Sequence, residues 1–160
     1  MEYPYLPQGK QLLSVPTSNE FMLEAKSLAD NSGCVKQPTG AVVVKSGHII
    51  GRGSNSGKKV DVCPRWNSST GQDYDKCRLI CEQSGHAEVT ALLNALEQGL
   101  SMDEISGADV YLYGHWYCCS NCWDKMIQFN IKNVYLTNDS ATIFNPEINL
   151  EMKNWGAPKK

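Results

Sequence analysis

GHAEVTALL, residues 85–93, sets two polar residues, His86 and Glu88, at the start of an otherwise apolar helical run. Burying an imidazole or a carboxylate costs free energy unless each finds a partner. A helix that only packs on a core does not need them. A second stretch, YCCSNC at 117–122, supplies the partner: Cys119 and Cys122 stand at CxxC spacing. That spacing lets two thiolates of one helical turn hold one metal, and His86 is a third ligand from another helix start. Helix N-termini carry unpaired N–H groups and partial positive charge, which favour thiolates. Three protein ligands leave one tetrahedral position for water, the catalytic arrangement of zinc. Glu88 need not be a ligand, and a carboxylate there can move protons. His-x-Glu followed by Cys-x-x-Cys therefore reads as a hydrolytic zinc site with a proton-moving carboxylate. The competing reading is a closed structural zinc site with an incidental Glu88.

Working outward, Ala87, Ala91, Leu92 and Ala95 predict a helix over His86–Leu96, ended by Gly99. A second helix is expected over Cys119–Phe129, with Trp123, Met126 and Ile127 inward. ADVYLY (108–113) and KNVYLT (132–137) read as strands. Upstream, Ala41–Lys45, the turn Ser46-Gly47 and His48–Gly53 read as a hairpin. Asn19 caps a helix over Glu20–Asn31 whose face is Phe21, Leu23, Ala25 and Leu28, and Gly33 closes it. Residues 1–18 hold three prolines and no clean period, and read as an irregular arm. Residues 54–82 read as a long loop with three cysteines, which needs a function or a staple. The tail, with Ile143, Phe144, Ile148 and Leu150, reads as a short strand and a loose helix. After the first helix, the order β-β-α-β-α-β makes an α/β layer of helices on a sheet.

The 160 residues fit one domain, read as a single unit over 1–160. A net charge of −2 argues against a protein that grips nucleic acid through its backbone. No apolar run reaches membrane-spanning length. MEYPYLPQGK lacks the basic and apolar regions of a signal peptide, so a cytoplasmic protein is expected. Seven cysteines then read as metal ligands, catalytic thiols or buried small residues rather than a disulfide framework.

The motifs PTGAVVV, GRGSNSG, CPR…GQDYDKC, GHAEVTALLNA, GADVYLYG and CCSNC, spread over Glu20–Leu136, resemble the cytidine deaminase-like superfamily and most closely its deoxycytidylate deaminase branch. The resemblance implies a three-layer α/β fold with a central mixed sheet of about five strands. It implies zinc on His86, Cys119 and Cys122, with Glu88 as proton shuttle. It implies that Asn55 bonds the sugar hydroxyl and that Ala87 offers backbone to the pyrimidine. The implied reaction is hydrolysis of dCMP to dUMP and ammonia, in a homo-oligomer open to dCTP and dTTP regulation. Where the family has proline before the first cysteine of the pair, this chain has Cys118, and spacing selects Cys119 as the ligand.

Cys34, Cys63, Cys77 and Cys81 form a second group. Some deoxycytidylate deaminases look as if they use equivalent positions for a structural zinc; buried free thiols and a disulfide are the other readings. Arg65, with Arg52, Lys58 and Lys59 nearby in sequence, is the first candidate for the substrate phosphate. His115, Trp116 and Tyr117 are candidates to stack on or shape the base. The alternatives to dCMP are deoxycytidine or another free cytosine compound, an RNA or single-stranded DNA editor, and a zinc-stabilised nucleotide-binding module without turnover.

Overall fold

The computed structural model describes residues 4–69 and 72–159. Met1–Tyr3 of the expected arm and residues 70–71 of the long loop lie outside the described residues. The strands β1 (Leu12–Val15), β2 (Gly40–Lys45), β3 (His48–Ser54), β4 (Asp109–Tyr113) and β5 (Asn133–Thr137) form one mixed sheet in the order β1-β5-β4-β2-β3. β1, β5 and β4 run parallel, whereas β2 is antiparallel to both β4 and β3. The parallel pair β4–β5 is joined by helix α5 (Ser120–Gln128), as a crossover requires. The fold is therefore the three-layer α/β arrangement that the motifs imply.

The irregular arm is corrected. Leu12–Val15 is an edge strand, in register with β5 from Leu12↔Val134 to Val15↔Thr137. Prolines at 4, 7 and 16 bracket a four-residue run, and an edge strand needs only one partner. The hairpin is as read: Ser46 and Gly47 both take positive φ, 52° and 77°, as a two-residue I′ turn demands.

One sheet face carries α1 (Glu20–Asp30), which packs Met22 and Ala25 against Val42, Val44 and Tyr111. Asn19 caps it, its side-chain oxygen accepting from the N–H groups of Phe21 and Met22 at 3.0 and 3.1 Å. The inward set shifts from the expected one, because Met22 is buried and Leu23 is 50% exposed. The other face carries α3 (Ala87–Glu97) and α5, which share the main core with β2, β4 and β5. Ile127 turns outward, leaving Cys122, Trp123 and Met126 as the buried set of α5. Glycine on β3 decides how close α3 lies: a Cβ on Gly53 would run into the backbone of Ala87, Thr90 and Ala91. That close approach holds the first turn of α3, where His86 and Glu88 sit, against the sheet.

The remaining elements are short. The long loop contains α2 (Asp75–Leu79), a single regular piece in a stretch read as having none. α4 (Met102–Ile105) begins in a Ser101/Glu104 capping box. The tail forms α6 (Ser140–Phe144) and a 3-10 turn at Leu150–Asn154, with no strand among the described residues. Phe144 and Met152 are buried, whereas Ile148 and Leu150 are exposed. Among the described residues no helix is long and apolar enough to cross a membrane.

Candidate metal centre and nucleotide cavity

His86 is the N-cap of α3 and Cys119 the N-cap of α5, and Cys122 lies in the first turn of α5. Two helix starts therefore face one point. His86 Nδ1 lies 3.3 Å from Cys119 Sγ and 3.4 Å from Cys122 Sγ, and the two sulfurs are 3.3 Å apart. All three ligand atoms lie within 4.8 Å of one another. Zinc bonds of ~2.0–2.3 Å at tetrahedral angles span ligand separations of roughly 3.4–3.8 Å. The donor set and its spacing fit zinc.

The electrostatics match. The Cys119 thiol is pushed down to about 4, first by hydrogen bonding from Cys122 and further by His86, against the opposing effect of burial. The Cys122 N–H also points at its sulfur, 3.4 Å away. His86 is raised, chiefly by its bond to Cys119. Glu88 is 5% exposed, and burial pushes its carboxyl up. Its neighbour is the fully buried Cys118, whose thiol hydrogen-bonds the carboxyl and is itself driven up by burial. Cys118 is not among the three residues whose ligand atoms gather; Cys119 is.

A cavity opens over the triad, with His86, Glu88, Cys119, His115 and Tyr117 in its wall. Asn55 lines it too and pins the neighbouring turn: its oxygen accepts from Thr39 N and its amide donates to Gln37 O, each at 2.9 Å. Ala87 is fully buried in the first turn of α3. His115 holds its Nδ1 towards the N–H groups of Trp116 and Tyr117, and burial lowers it to about 3, so the ring is neutral. Trp116 faces a different, adjoining cavity. Lys58 lines the cavity over the triad, whereas Arg52 pairs with Glu24 on the surface.

Arg65 reaches the cavity wall but is held within its own loop. Its Nε donates to Gln72 O at 2.9 Å, and the guanidinium lies 3.9 Å above the Tyr74 ring. Tyr74 in turn sets its ring edge on His86, centroids 5.3 Å apart. Sequence reading missed Tyr74. Its place between Cys63 and Cys77 in GQDYDKC was the available signal.

Cys34, Cys63, Cys77 and Cys81, the second cysteine group, line the same cavity. All seven cysteines are free, so no disulfide forms. Burial raises the Cys63 and Cys81 thiols. Among the described residues, the His86, Cys119 and Cys122 triad is the one ligand cluster that closes to metal-binding distance.

The pattern of the cytidine and deoxycytidylate deaminase zinc-binding region matches residues 16–138. The ComE operon protein 2 of Bacillus subtilis (strain 168) is 30% identical over 123 residues, 76% of this chain and 59% of that protein. The chain thus spans about three fifths of the length of that curated relative. The apo structure of dCMP deaminase from cyanophage S-TIM5 has the same fold, with a TM-score of 0.50 at 22% identity over 86% of this chain and 90% of that one. The Thermotoga maritima diaminohydroxyphosphoribosylaminopyrimidine deaminase/reductase aligns at a TM-score of 0.48 and 27% identity, over 72% of this chain and 28% of that one.

Proposed function

Because the chain belongs to the cytidine and deoxycytidylate deaminase family that carries this zinc-binding region, we propose that it hydrolyses dCMP to dUMP and ammonia. One observation carries the reading. A buried carboxyl, Glu88, adjoins a preassembled His-Cys-Cys triad at the wall of a cavity.

His86 Nδ1, Cys119 Sγ and Cys122 Sγ would hold zinc. Bound zinc supplies the Lewis acidity that makes water nucleophilic near neutral pH. Glu88 takes a proton from the attacking water and delivers it to the ring nitrogen, then takes a second proton from the new hydroxyl on the ring carbon and delivers it to the amine, which leaves as ammonia while the carbonyl forms. Burial serves that role, because a raised carboxyl holds and releases a proton closer to neutral pH. Ala87, at the start of α3, offers backbone to the pyrimidine. Asn55 retains one amide hydrogen and further lone pairs beyond its bonds to the Gln37–Thr39 turn, and binds the sugar hydroxyl. Tyr117 closes the base pocket beside Glu88. Arg65 and Lys58 supply positive charge for the phosphate. The protein acts as a homo-oligomer, and dCTP and dTTP regulate it. Cys34, Cys63, Cys77 and Cys81 take a second, structural zinc that closes the long loop.

A second reading is deamination of deoxycytidine or another unphosphorylated cytosine compound. The ties of Arg65 to Gln72 and Tyr74 favour it, since they occupy part of the expected phosphate clamp.

The test is ammonia release from dCMP, deoxycytidine, CMP and cytosine, each offered alone. Fast turnover of dCMP over deoxycytidine upholds the nucleotide reading. Preference for deoxycytidine replaces it with the second reading. Binding without turnover of any of the four leaves a nucleotide-binding module and overturns both.

A further inference from the structure

A cavity of about 220 Å³ adjoins the catalytic one, and the two share Lys36, Gln37, Arg65, Tyr74 and His115 in their walls. Protein interiors leave few voids larger than a water molecule, so a gap of this size is a feature of the surface rather than a packing defect. Its far wall comes from two segments: the loop at Trp66–Ser69 and the tail from Phe144 to Lys153. The tail lies beyond the residues that carry the family pattern, which end at 138. Residues that flank the two segments are tied together. Cys63 N–H donates to Gly156 O at 2.8 Å, and a Cβ on Gly156 would collide with Cys63. Lys36 clamps the loop from the other side, its Nζ donating to the carbonyls of Arg65 at 2.6 Å and Trp66 at 2.8 Å.

The lining has a consistent chemistry. Three cations, Lys36, Arg65 and Lys153, contribute charge, and no carboxylate lines the cavity among the described residues. Two indoles, Trp66 and Trp116, contribute aromatic surface. Trp66 stays 37% exposed, a large apolar ring left without full cover. Cations beside the exposed Trp66 and the half-buried Trp116, with no opposing acid among the described residues, suit an anionic ligand with a flat ring.

We propose that this cavity is a second nucleoside subsite: it takes the group esterified to the phosphate of a cytosine nucleotide, as in a dinucleotide. The cytosine enters the zinc cavity, the phosphodiester passes along the shared wall at Lys36 and Arg65, and the second base stacks on Trp66 and Trp116. Lys153 closes the outer side. The inference rests on the deaminase reading and extends its substrate class to short phosphodiesters of deoxycytidine. The −2 net charge leaves a long nucleic acid with little further attraction beyond this site.

The experiment compares kcat/KM, by ammonia release, for dCMP, deoxycytidine and the two dinucleotides that join deoxycytidine to deoxyadenosine through its 3′ or its 5′ oxygen. One stacked base is worth roughly ten- to a hundredfold in binding. At least one dinucleotide should therefore exceed dCMP by about tenfold. In Trp66→Ala, and independently in Lys153→Glu, the ratio of dinucleotide to dCMP should fall towards one. Pairing two variants on different segments guards against one of them disturbing its loop. Turnover of dCMP with neither dinucleotide better overturns the subsite and leaves the deaminase reading standing. A preference that survives both variants also overturns it. Silence on all four substrates overturns the deaminase reading, and the subsite with it.

Discussion

Cys119 of the metal triad and the four cysteines Cys34, Cys63, Cys77 and Cys81 line one cavity, and the two groups are built differently. Cys119 and Cys122 sit at the start of a nine-residue helix that is anchored in the main core, and His86 starts a second such helix. Their ligand atoms stand within 4.8 Å of one another, and Cys119 is already pushed down to about 4. Cys34, Cys63 and Cys81 lie outside helices and strands, and Cys77 sits in the five-residue α2. There the thiols are not gathered to coordination distance, and burial raises Cys63 and Cys81. Helix N-termini fixed by packing gather the ligands before any metal arrives, with Cys119 pushed down by the hydrogen bond from Cys122 while Cys122 itself is raised. Loop cysteines depend on the metal to bring them together and remove their protons. The first group is therefore a centre the fold makes, and the second is one that a metal would have to make.

That contrast can be broken in graded ways. The largest effect is expected at the first group: His86→Ala should lose bound zinc and lower turnover of dCMP by about 10³-fold or more. Metal analysis of the purified variant, alongside ammonia release, checks it. At the second group, Cys63→Ser should lower zinc from two per chain to one. A structural site is worth several kcal/mol, and at roughly 2–4 °C per kcal/mol the Tm should fall by about 10 °C. Turnover should change by less than about tenfold. Zinc content that stays at one per chain in both proteins would remove the second site and leave buried free thiols.

His115 sharpens the comparison through pH, since it joins the two cavities and is held neutral. Its folded value, about 3, lies below the ordinary 6.5. The unfolded chain therefore takes up the proton first as pH falls. The stability this gives is complete above pH ~6.5 and is lost progressively towards pH ~3. Between pH 7 and pH 5 the wild-type protein should lose about 2 kcal/mol more than His115→Gln, read from urea midpoints. Equal slopes would show that the ring is not held neutral. The smallest effect is expected far from both groups. Asn19→Ala removes the cap of α1 and should cost about 1 kcal/mol, with kcat and zinc content unchanged.

The same contrast explains what was legible in the sequence. His86, Glu88, Cys119 and Cys122 could be read because helix starts turn short spacings into geometry. Strands β2 to β5 showed through runs such as VVV and VYLY, and the Ser46-Gly47 turn through its chemistry. β1 did not show, because LLSV is short, stands between prolines and owes its structure to a partner 122 residues away, as Leu12 pairs with Val134. Leu23 and Ile127 misled because hydrophobicity alone does not fix a helix face: the core took Met22 in α1, and in α5 it kept Trp123 and Met126 as expected but added Cys122 in place of Ile127. Tyr74 escaped because its neighbours, Arg65 and His86, are set by the long loop rather than by any local pattern. The pairing of Arg65 with Gln72 and Tyr74 likewise follows from the loop, and a basic residue beside Cys63 gave no sign of it.

The most direct test of the central claim is Glu88→Gln, with zinc content and ammonia release from dCMP measured on one preparation. Zinc equal to wild type with turnover at background is the result this account predicts. Turnover near the wild-type rate, with zinc retained, would contradict it, because some other group would then be moving the proton.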